Sequence, residues 1–264
     1  AGPAPRADTV GCMIEQVFAV CNNCSTGVWR LPWSSQSMSP RATPLIVADP
    51  SAAAGAAKRL PLVRRILKAI LGPLMRAYFH LSLEDGFNVP PRGPAIVVTN
   101  HASLLDVPAL MVVDPFPDTS TIVKASLFKI PIVSWMLQQW GAIPVERQGR
   151  DSSSVRAMLG VLRSGGVMAI AAEGRRTRSG HLESINPVLA RIAASANVPV
   201  IPLGIRGSYD ALPPGRLLPR PRRITVKVGV PFRFERGTTA EAAAERIRNE
   251  IAALLPASMQ PLEP

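Results

Sequence analysis

The chain has 264 residues, of which 47% are hydrophobic and 18% are charged. This length suits one sizeable domain with its own core rather than two full domains. The formal net charge is +12, and all of the excess positive charge lies after residue 57. Such a surplus favours anionic partners, which are phosphate-bearing small molecules, anionic lipid headgroups or nucleic acid. No run reaches the roughly 18 apolar residues that a spanning helix requires, so any membrane contact is expected at the surface.

Residues 1–57 mix Pro, Ser, Ala and Gly without a sustained period, which predicts a loosely ordered extension. All three cysteines, Cys12, Cys21 and Cys24, fall within it, so no disulfide is expected in the rest of the chain. Cys21 and Cys24 form a single CxxC that lacks the second ligand pair of a structural zinc site. The sequence therefore predicts neither a metal nor a bound cofactor.

From residue 58 to 82 the pattern becomes helical, with apolar residues such as Ile66, Ile70, Leu74 and Tyr78 on one face and basic residues on the other. A basic amphipathic helix is typical of a segment that lies in a membrane interface and contacts anionic lipids. The alternative is a helix that packs its apolar face on the core of the domain.

After Pro90, short apolar runs alternate with helical stretches. This alternation predicts an α/β domain over residues 58–264, built on a largely parallel sheet flanked by helices, with the amphipathic membrane-interface helix at its start. The predicted strands are Ala95–Thr99, Thr121–Lys124, Ala142–Val145, Val167–Ala171, Val200–Ile205 and Ile224–Val230. The predicted helices begin at Ser103 and Asp151 and lie near Ile132–Trp140, Pro187–Ala196 and Thr239–Leu255.

His101 follows the first of these strands, in the sequence Asn100-His101-Ala102-Ser103-Leu104-Leu105-Asp106. With His101 in the turn before a helix, Asp106 can reach back to the imidazole ring. A carboxylate on one ring nitrogen leaves the other nitrogen free to take a proton from a hydroxyl. The alternative is that Asn100 or Ser103 caps the helix, while His101 and Asp106 only satisfy backbone groups.

Two turns that contain arginine follow strands at similar depth, 141–147 ending in Arg147 and 173–180 containing Arg175 and Arg176. Guanidinium groups bind phosphate in a bidentate manner, so the turns could form a phosphate pocket facing His101. Each turn alone could equally be a solvated basic loop. The chain has no GxSxG, GxxxxGK[ST], GxGxxG or HExxH motif, so the candidate nucleophile is a hydroxyl of the substrate.

The order and spacing of these blocks resemble the glycerolipid acyltransferase family, specifically the 1-acylglycerol-3-phosphate acyltransferases, over roughly residues 60–231. The NHxxxxD block is met by Asn100, His101 and Asp106. The second block is met by 141–147, and the third, usually Glu-Gly-Thr-Arg, by 173–176. The fourth, an apolar Val-Pro-x-x-Pro strand, is met by 198–202.

The resemblance implies that His101 is the general base and that Asp106 orients it. It also implies that Glu173 orders its loop. The residues that the resemblance assigns to substrate binding are Asn100, Arg147, Glu173, Gly174, Arg175 and Arg176. Arg175 stands where the family has threonine, which leaves the headgroup of the acceptor open.

The implied reaction moves an acyl group from acyl-coenzyme A or acyl carrier protein to lysophosphatidic acid and makes phosphatidic acid, a step of phospholipid biosynthesis. The implied location is the cytoplasmic face of a membrane, as a monotopic or peripheral protein. The basic segment 216–223 could add a second basic contact, and 130–140 could line the acyl slot.

Three alternatives remain. The acceptor could be another lysolipid, such as a lyso-ornithine lipid. The protein could bind membranes without catalysis; nucleic acid is not expected, because aromatic residues total 5% and no basic face interleaved with aromatics is present. A hydrolase would use water as the acceptor, and replacement of Arg147 would then have little effect.

Overall fold

The computed structural model describes residues 61–89, 93–113, 119–145 and 152–262. The extension predicted for residues 1–57, with its three cysteines, lies outside the described residues. The same holds for Arg147, so the predicted block 141–147 is described only as far as Val145.

A seven-stranded sheet forms the centre of the described part of the chain. The strands are β1 (Ser82–Glu84), β2 (Ala95–Thr99), β3 (Thr119–Lys124), β4 (Ala142–Val145), β5 (Val167–Ala171), β6 (Val200–Arg206) and β7 (Thr225–Val228). Their spatial order is β1-β7-β6-β2-β5-β3-β4, and all neighbouring strands are parallel except β6 and β7. The predicted α/β fold with a largely parallel sheet is therefore confirmed.

Helices cover both faces of the sheet. They are α1 (Pro61–Phe79), α2 (Asp106–Val113), α3 (Pro131–Gln139), α4 (Ser152–Arg163), α5 (Pro187–Ser195), α6 (Ser208–Ala211) and α7 (Ala240–Ala252). On one face, α4, α5 and α7 contribute side chains to a core that includes Ile96 and Val98 of β2. On the other face, α1 and α2 pack over Ala95 and Val97. Because β2 is buried on both faces, it is apolar at four of its five positions instead of alternating.

The predicted helix 58–82 is too long at its C-terminal end, because α1 stops at Phe79. His80 has a φ of 46°, a left-handed conformation that ends the helix. The chain then enters β1, which pairs in parallel with β7 and buries Leu81. A three-residue strand has no periodicity of its own, so the sequence pattern could not separate it from the helix.

The α1 helix contacts the core with one side and leaves an apolar ridge in solvent. Leu71, Met75 and Phe79 pack into the core beneath the helix. The ridge consists of residues spaced four apart, which places them on one face: Leu62, Ile66, Ile70, Leu74 and Tyr78, each between 40% and 67% exposed. The residues of this ridge are therefore not buried in the core of the domain, where the alternative interpretation of the helix would place them. Among the described helices, none is both long and apolar enough to cross a bilayer.

Candidate active site

The candidate site lies where β2 and β5 end side by side. Thr99 of β2 is paired with Ala171 of β5, and both strands run in the same direction. His101 follows β2 by two residues, and Glu173 follows β5 by two residues. Ligands of parallel α/β sheets bind beyond this carboxyl edge, so the register alone brings the two predicted blocks together.

His101 and Asp106 form a hydrogen-bonded pair. The Nδ1 atom of His101 lies 2.8 Å from the Oδ2 atom of Asp106. The same oxygen accepts the backbone N–H groups of Ala102 and Ser103, each at 2.8 Å. An oxygen that already accepts two backbone donors is also the acceptor toward the ring, which places the hydrogen on Nδ1. The lone pair of Nε2 is then available, on a side chain that is 21% exposed.

Asn100 does not lie open to a ligand, contrary to its expected place among the substrate-binding residues. Its side chain is buried, and both of its polar atoms are bound to the backbone of Ile205. Nδ2 donates to the carbonyl of Ile205 at 3.0 Å, and Oδ1 accepts its N–H at 2.8 Å. Asn100 therefore joins the end of β2 to β6 and fixes the turn that carries His101.

Glu173 is also buried, and its carboxyl group contacts the backbone of the histidine turn. Its Oε2 accepts the backbone N–H of His101 at 3.2 Å, and its Oε1 accepts that of Glu183 at 3.1 Å. The N–H of Thr177 donates to the carbonyl of His101 at 2.9 Å. The loop after β5 thus holds both backbone polar groups of His101. Burial raises the pKa of the Glu173 carboxyl from 4.5 to about 7.

We expect Glu173→Gln to remove a pH dependence of stability. The folded-state pKa of about 7 exceeds the ordinary value of 4.5, so the native state keeps a proton that the unfolded state releases between these values. The contribution of Glu173 to the free energy of unfolding is therefore complete below the lower value and is lost as the pH rises through the higher one. Relative to the glutamine variant, the wild type should lose about 2 kcal/mol between about pH 5 and about pH 8.

Urea unfolding of both proteins at a series of pH values measures this difference. Replacement of an exposed carboxylate on α7, Glu241→Gln, is the matched control and should leave the profile of the wild type unchanged. Parallel profiles for the wild type and Glu173→Gln would contradict the prediction.

The arginine loop after β5 carries three arginines, and for the guanidinium groups of two of them, Arg176 and Arg178, the described part of the chain offers no carboxylate partner. Gly174 has a φ of 73°, and a Cβ there would lie 3.0 Å from Nδ2 of Asn186, so the turn requires glycine. Arg175 pairs with Glu183 at 2.7 Å, although its side chain is 63% exposed. Arg176 is exposed on the same loop. Arg175 and Arg176 therefore differ: Arg175 braces the loop, and Arg176 extends from it.

An apolar cavity of about 80 Å³ lies beside the helix that begins at Asp106. Val107 and Met111 of α2 line it, together with side chains from β2, β3, β5, β6 and β7. Of the segment 130–140 that was expected to line an acyl slot, only Trp140 contributes. Ile132 and Trp135 are 75% and 50% exposed instead. The sequence could not identify this lining because it comes from the inward faces of several separate elements.

Ser103, which was predicted only as a possible helix cap, also contributes to the structure around His101. Its hydroxyl donates to the carbonyl of Leu212 at 2.8 Å and accepts the N–H of Leu105 at 3.1 Å. It therefore holds the turn between His101 and Asp106 against the chain that follows α6. No local pattern signals a contact between residues 109 positions apart.

The segment that carries this site is similar to known proteins. Residues 80–206 match the family model described as Acyltransferase. A 1-acyl-sn-glycerol-3-phosphate acyltransferase, LPAT1 of Arabidopsis chloroplasts (Arabidopsis thaliana), is 28% identical over 52% of this chain and 39% of that protein. A lyso-ornithine lipid O-acyltransferase of Pseudomonas aeruginosa is 30% identical over 47% of each protein. The matched segments thus span less than half of these curated relatives.

A solved structure extends the similarity. The 1-acyl-sn-glycerophosphate acyltransferase PlsC of Thermotoga maritima superposes with a TM-score of 0.62 and 25% identity, over 76% of this chain and 84% of that one. The segment that the family model matches contains the His101 turn, β5 and the loop of Glu173. Residues 80–206, which contain the candidate site, are therefore similar to the acyltransferase family model, and the chain is similar to proteins named as 1-acyl-sn-glycerol-3-phosphate acyltransferases.

Proposed function

We propose that this protein is a lysophosphatidic acid acyltransferase, which moves an acyl group from acyl-coenzyme A or acyl carrier protein to the free hydroxyl of 1-acyl-sn-glycerol-3-phosphate. The observation that carries the proposal is the contact of 2.8 Å between His101 Nδ1 and Asp106 Oδ2. It leaves Nε2 as a base at the carboxyl edge of the sheet. The relatives named above acylate lysolipids according to their names, which supports the choice of acceptor.

In the proposed reaction, Nε2 of His101 takes the proton of the acceptor hydroxyl as its oxygen attacks the carbonyl carbon of the thioester. Asp106 stabilises the imidazolium that forms, because its carboxylate is already bonded to Nδ1. The tetrahedral intermediate then collapses, the carbon–sulfur bond breaks, and the thiolate leaves. The imidazolium returns the proton to the thiolate. The products are phosphatidic acid and the free thiol of the carrier.

Arg176 is the proposed ligand of the acceptor phosphate, together with Arg147, which lies outside the described residues. Arg176 is exposed on the loop whose first residue, Glu173, contacts the backbone of His101. A guanidinium in this position can bind phosphate with paired hydrogen bonds. Arg175 already contacts Glu183, so its proposed role is to shape the loop.

We expect Arg176→Ala to raise the KM for lysophosphatidic acid by about tenfold or more, which corresponds to the loss of a hydrogen bond to a charged group. The kcat at saturating acceptor should change little, because no atom of the phosphate takes part in the bonds that form or break. Arg175→Ala is the matched control and should have a smaller effect on KM. Steady-state kinetics with both substrates varied separates these cases, and an unchanged KM in Arg176→Ala would remove this residue from the phosphate site.

The apolar cavity beside Val107 is the proposed site for an acyl chain. It adjoins the helix whose first residue is Asp106, the hydrogen-bond partner of His101. The exposed ridge of α1, with the basic side chains around it, is proposed to lie on a membrane with anionic lipids. Both substrates with long acyl chains would partition into that membrane.

The test of the proposed function is acyl transfer from labelled acyl-coenzyme A in parallel reactions with lysophosphatidic acid and a lyso-ornithine lipid. Formation of phosphatidic acid as the faster reaction would support the proposal. Faster acylation of the ornithine lipid would make the chain a functional counterpart of the Pseudomonas relative and would change the acceptor only. Release of free fatty acid with either acceptor present, and no acylated product, would indicate a hydrolase.

A further inference from the structure

The loop formed by residues 213–223 carries an apolar tip between basic residues. Leu217 and Leu218 at the tip are 93% and 81% exposed. Four exposed arginines surround them: Arg216, Arg220, Arg222 and Arg223. No acidic residue occurs in the sequence between Asp210 and Glu235. The 213–223 loop thus exposes large apolar side chains within a strongly positive segment.

Hydrogen bonds hold the loop and the residue before it against the rest of the domain. The N–H of Arg220 donates to the carbonyl of Ala211 at 2.8 Å and closes the base of the loop. The hydroxyl of Tyr78 donates to the carbonyl of Pro219 at 3.1 Å. At the other end, the carbonyl of Leu212 accepts the hydroxyl of Ser103.

These contacts relate the loop to two other features. Tyr78 is the last residue of the exposed apolar ridge of α1, and Pro219 is the neighbour of Leu218. The loop and the ridge therefore adjoin each other at Tyr78. Ser103 is two residues from His101, so the base of the same loop borders the candidate active site.

We propose that the 213–223 loop is a second membrane contact, in which Leu217 and Leu218 insert into an anionic bilayer and the arginines bind its headgroups. Exposed leucines lose contact with water on entering the acyl region, and each arginine at an anionic surface adds electrostatic attraction. A nucleic acid would pair with the arginines but would leave both leucines in water, and the loop has no aromatic side chain for stacking on bases.

A second membrane contact would restrict the orientation of the domain on the bilayer. A single amphipathic helix on a membrane permits rotation of the domain about the helix axis, whereas two adjoining contacts restrict it. With the loop also in contact, the turn that carries His101 is held close to the bilayer that contains the acceptor. This inference deepens the proposed function and rests on it for the choice of a lipid surface, but binding to vesicles requires no catalysis.

The experiment measures partition of the whole chain onto sedimented vesicles of phosphatidylcholine alone and of phosphatidylcholine mixed with phosphatidylglycerol. Two double variants alter the loop: Leu217→Gln with Leu218→Gln, and Arg222→Gln with Arg223→Gln. The matched controls alter exposed residues of the same types elsewhere, Val230→Gln with Leu262→Gln and Arg156→Gln with Arg236→Gln. All altered side chains are exposed, so unfolding in urea should be unaffected.

Each loop variant is expected to lower partition onto the mixed vesicles by about tenfold, while the controls bind as the wild type does. The arginine variant should differ from the wild type on mixed vesicles only, whereas the leucine variant should be weaker on both kinds. Loop variants that bind like their controls would overturn the proposal. So would normal vesicle binding combined with loss of binding to RNA or to an acidic acyl carrier protein, because the loop would then serve another class of partner.

Acyl transfer in neutral detergent micelles separates the two proposals. Loop variants that are fully active there but slow on mixed vesicles would support the loop as a membrane contact. If the wild type acylates no acceptor in micelles while the loop variants still lose vesicle binding, the proposed function fails and the membrane contact stands.

Discussion

Replacement of His101 by alanine is expected to lower the kcat of acyl transfer by about 10²- to 10⁴-fold, the range associated with loss of a general base. The imidazole ring lies at the carboxyl edge of β2, and the hydrogen bond from its Nδ1 to Asp106 fixes its tautomer. Without it, no base would be in place to take the proton of the acceptor hydroxyl. The KM for either substrate should change little, because the imidazole acts in the transition state and not in ground-state binding.

The fold should survive this substitution. The side chain of His101 is 21% exposed, and Asp106 keeps the backbone N–H groups of Ala102 and Ser103 after the ring is removed. The expected cost in the free energy of unfolding is about 1 kcal/mol, one hydrogen bond. His80→Ala, which changes an exposed histidine between α1 and β1, is the matched control. If His101→Ala keeps the activity of the wild type, another group is the base, and the acyl-transfer mechanism given above is wrong.

Asp106→Asn is the second substitution with a large expected effect, and it should reduce both activity and stability. An asparagine can present its amide oxygen to the three donors, which are the ring of His101 and the backbone N–H groups of Ala102 and Ser103. It cannot stabilise the imidazolium with a negative charge. Its NH₂ group would then occupy the position of Oδ1, which is buried and has no hydrogen-bond partner in the described residues. The opposite orientation would place donors against donors. A loss in kcat of about 10²-fold or more follows from the missing charge and tautomer control.

The stability loss expected for Asp106→Asn is about 1–3 kcal/mol, because a buried polar group is left without a partner. Asp210→Asn, an exposed carboxylate on α6, is the control and should be neutral in both assays. Stopped-time assays of acyl transfer and urea unfolding on the same preparations distinguish the two effects. A variant that loses stability but keeps its kcat would show that Asp106 only supports the turn.

Together these two variants also test the non-catalytic alternative. A protein that uses only its basic surface would bind anionic vesicles equally well with either substitution. The enzyme proposed above would keep vesicle binding and lose turnover. The combination of retained binding and lost turnover in His101→Ala therefore separates catalysis from membrane attachment.

The sequence by itself determined the fold class, several element bounds and the central pair of the site. β2, β4 and β5 begin and end at the predicted residues, because each is a short apolar run bounded by turn residues. His101 and Asp106 lie only five residues apart, across a strand-to-helix turn. Their contact depends on local chain geometry, so the spacing allowed it, and the resemblance to a known family favoured it over the helix-cap alternative.

Tertiary structure decided what surrounds that pair. Asn100 reaches Ile205 across 105 residues, Glu173 reaches the backbone of His101 across 72, and Tyr78 reaches Pro219 across 141. β1 was missed for the same reason, since three residues become a strand only through pairing with β7. Hydrophobic periodicity specifies which side of an element is buried, but the partner of a polar side chain depends on strand order and register. Those are set when the whole sheet assembles, and they place Asn100, which was expected among the substrate-binding residues, and Glu173, which was expected to order its loop, against backbone groups that support the histidine turn.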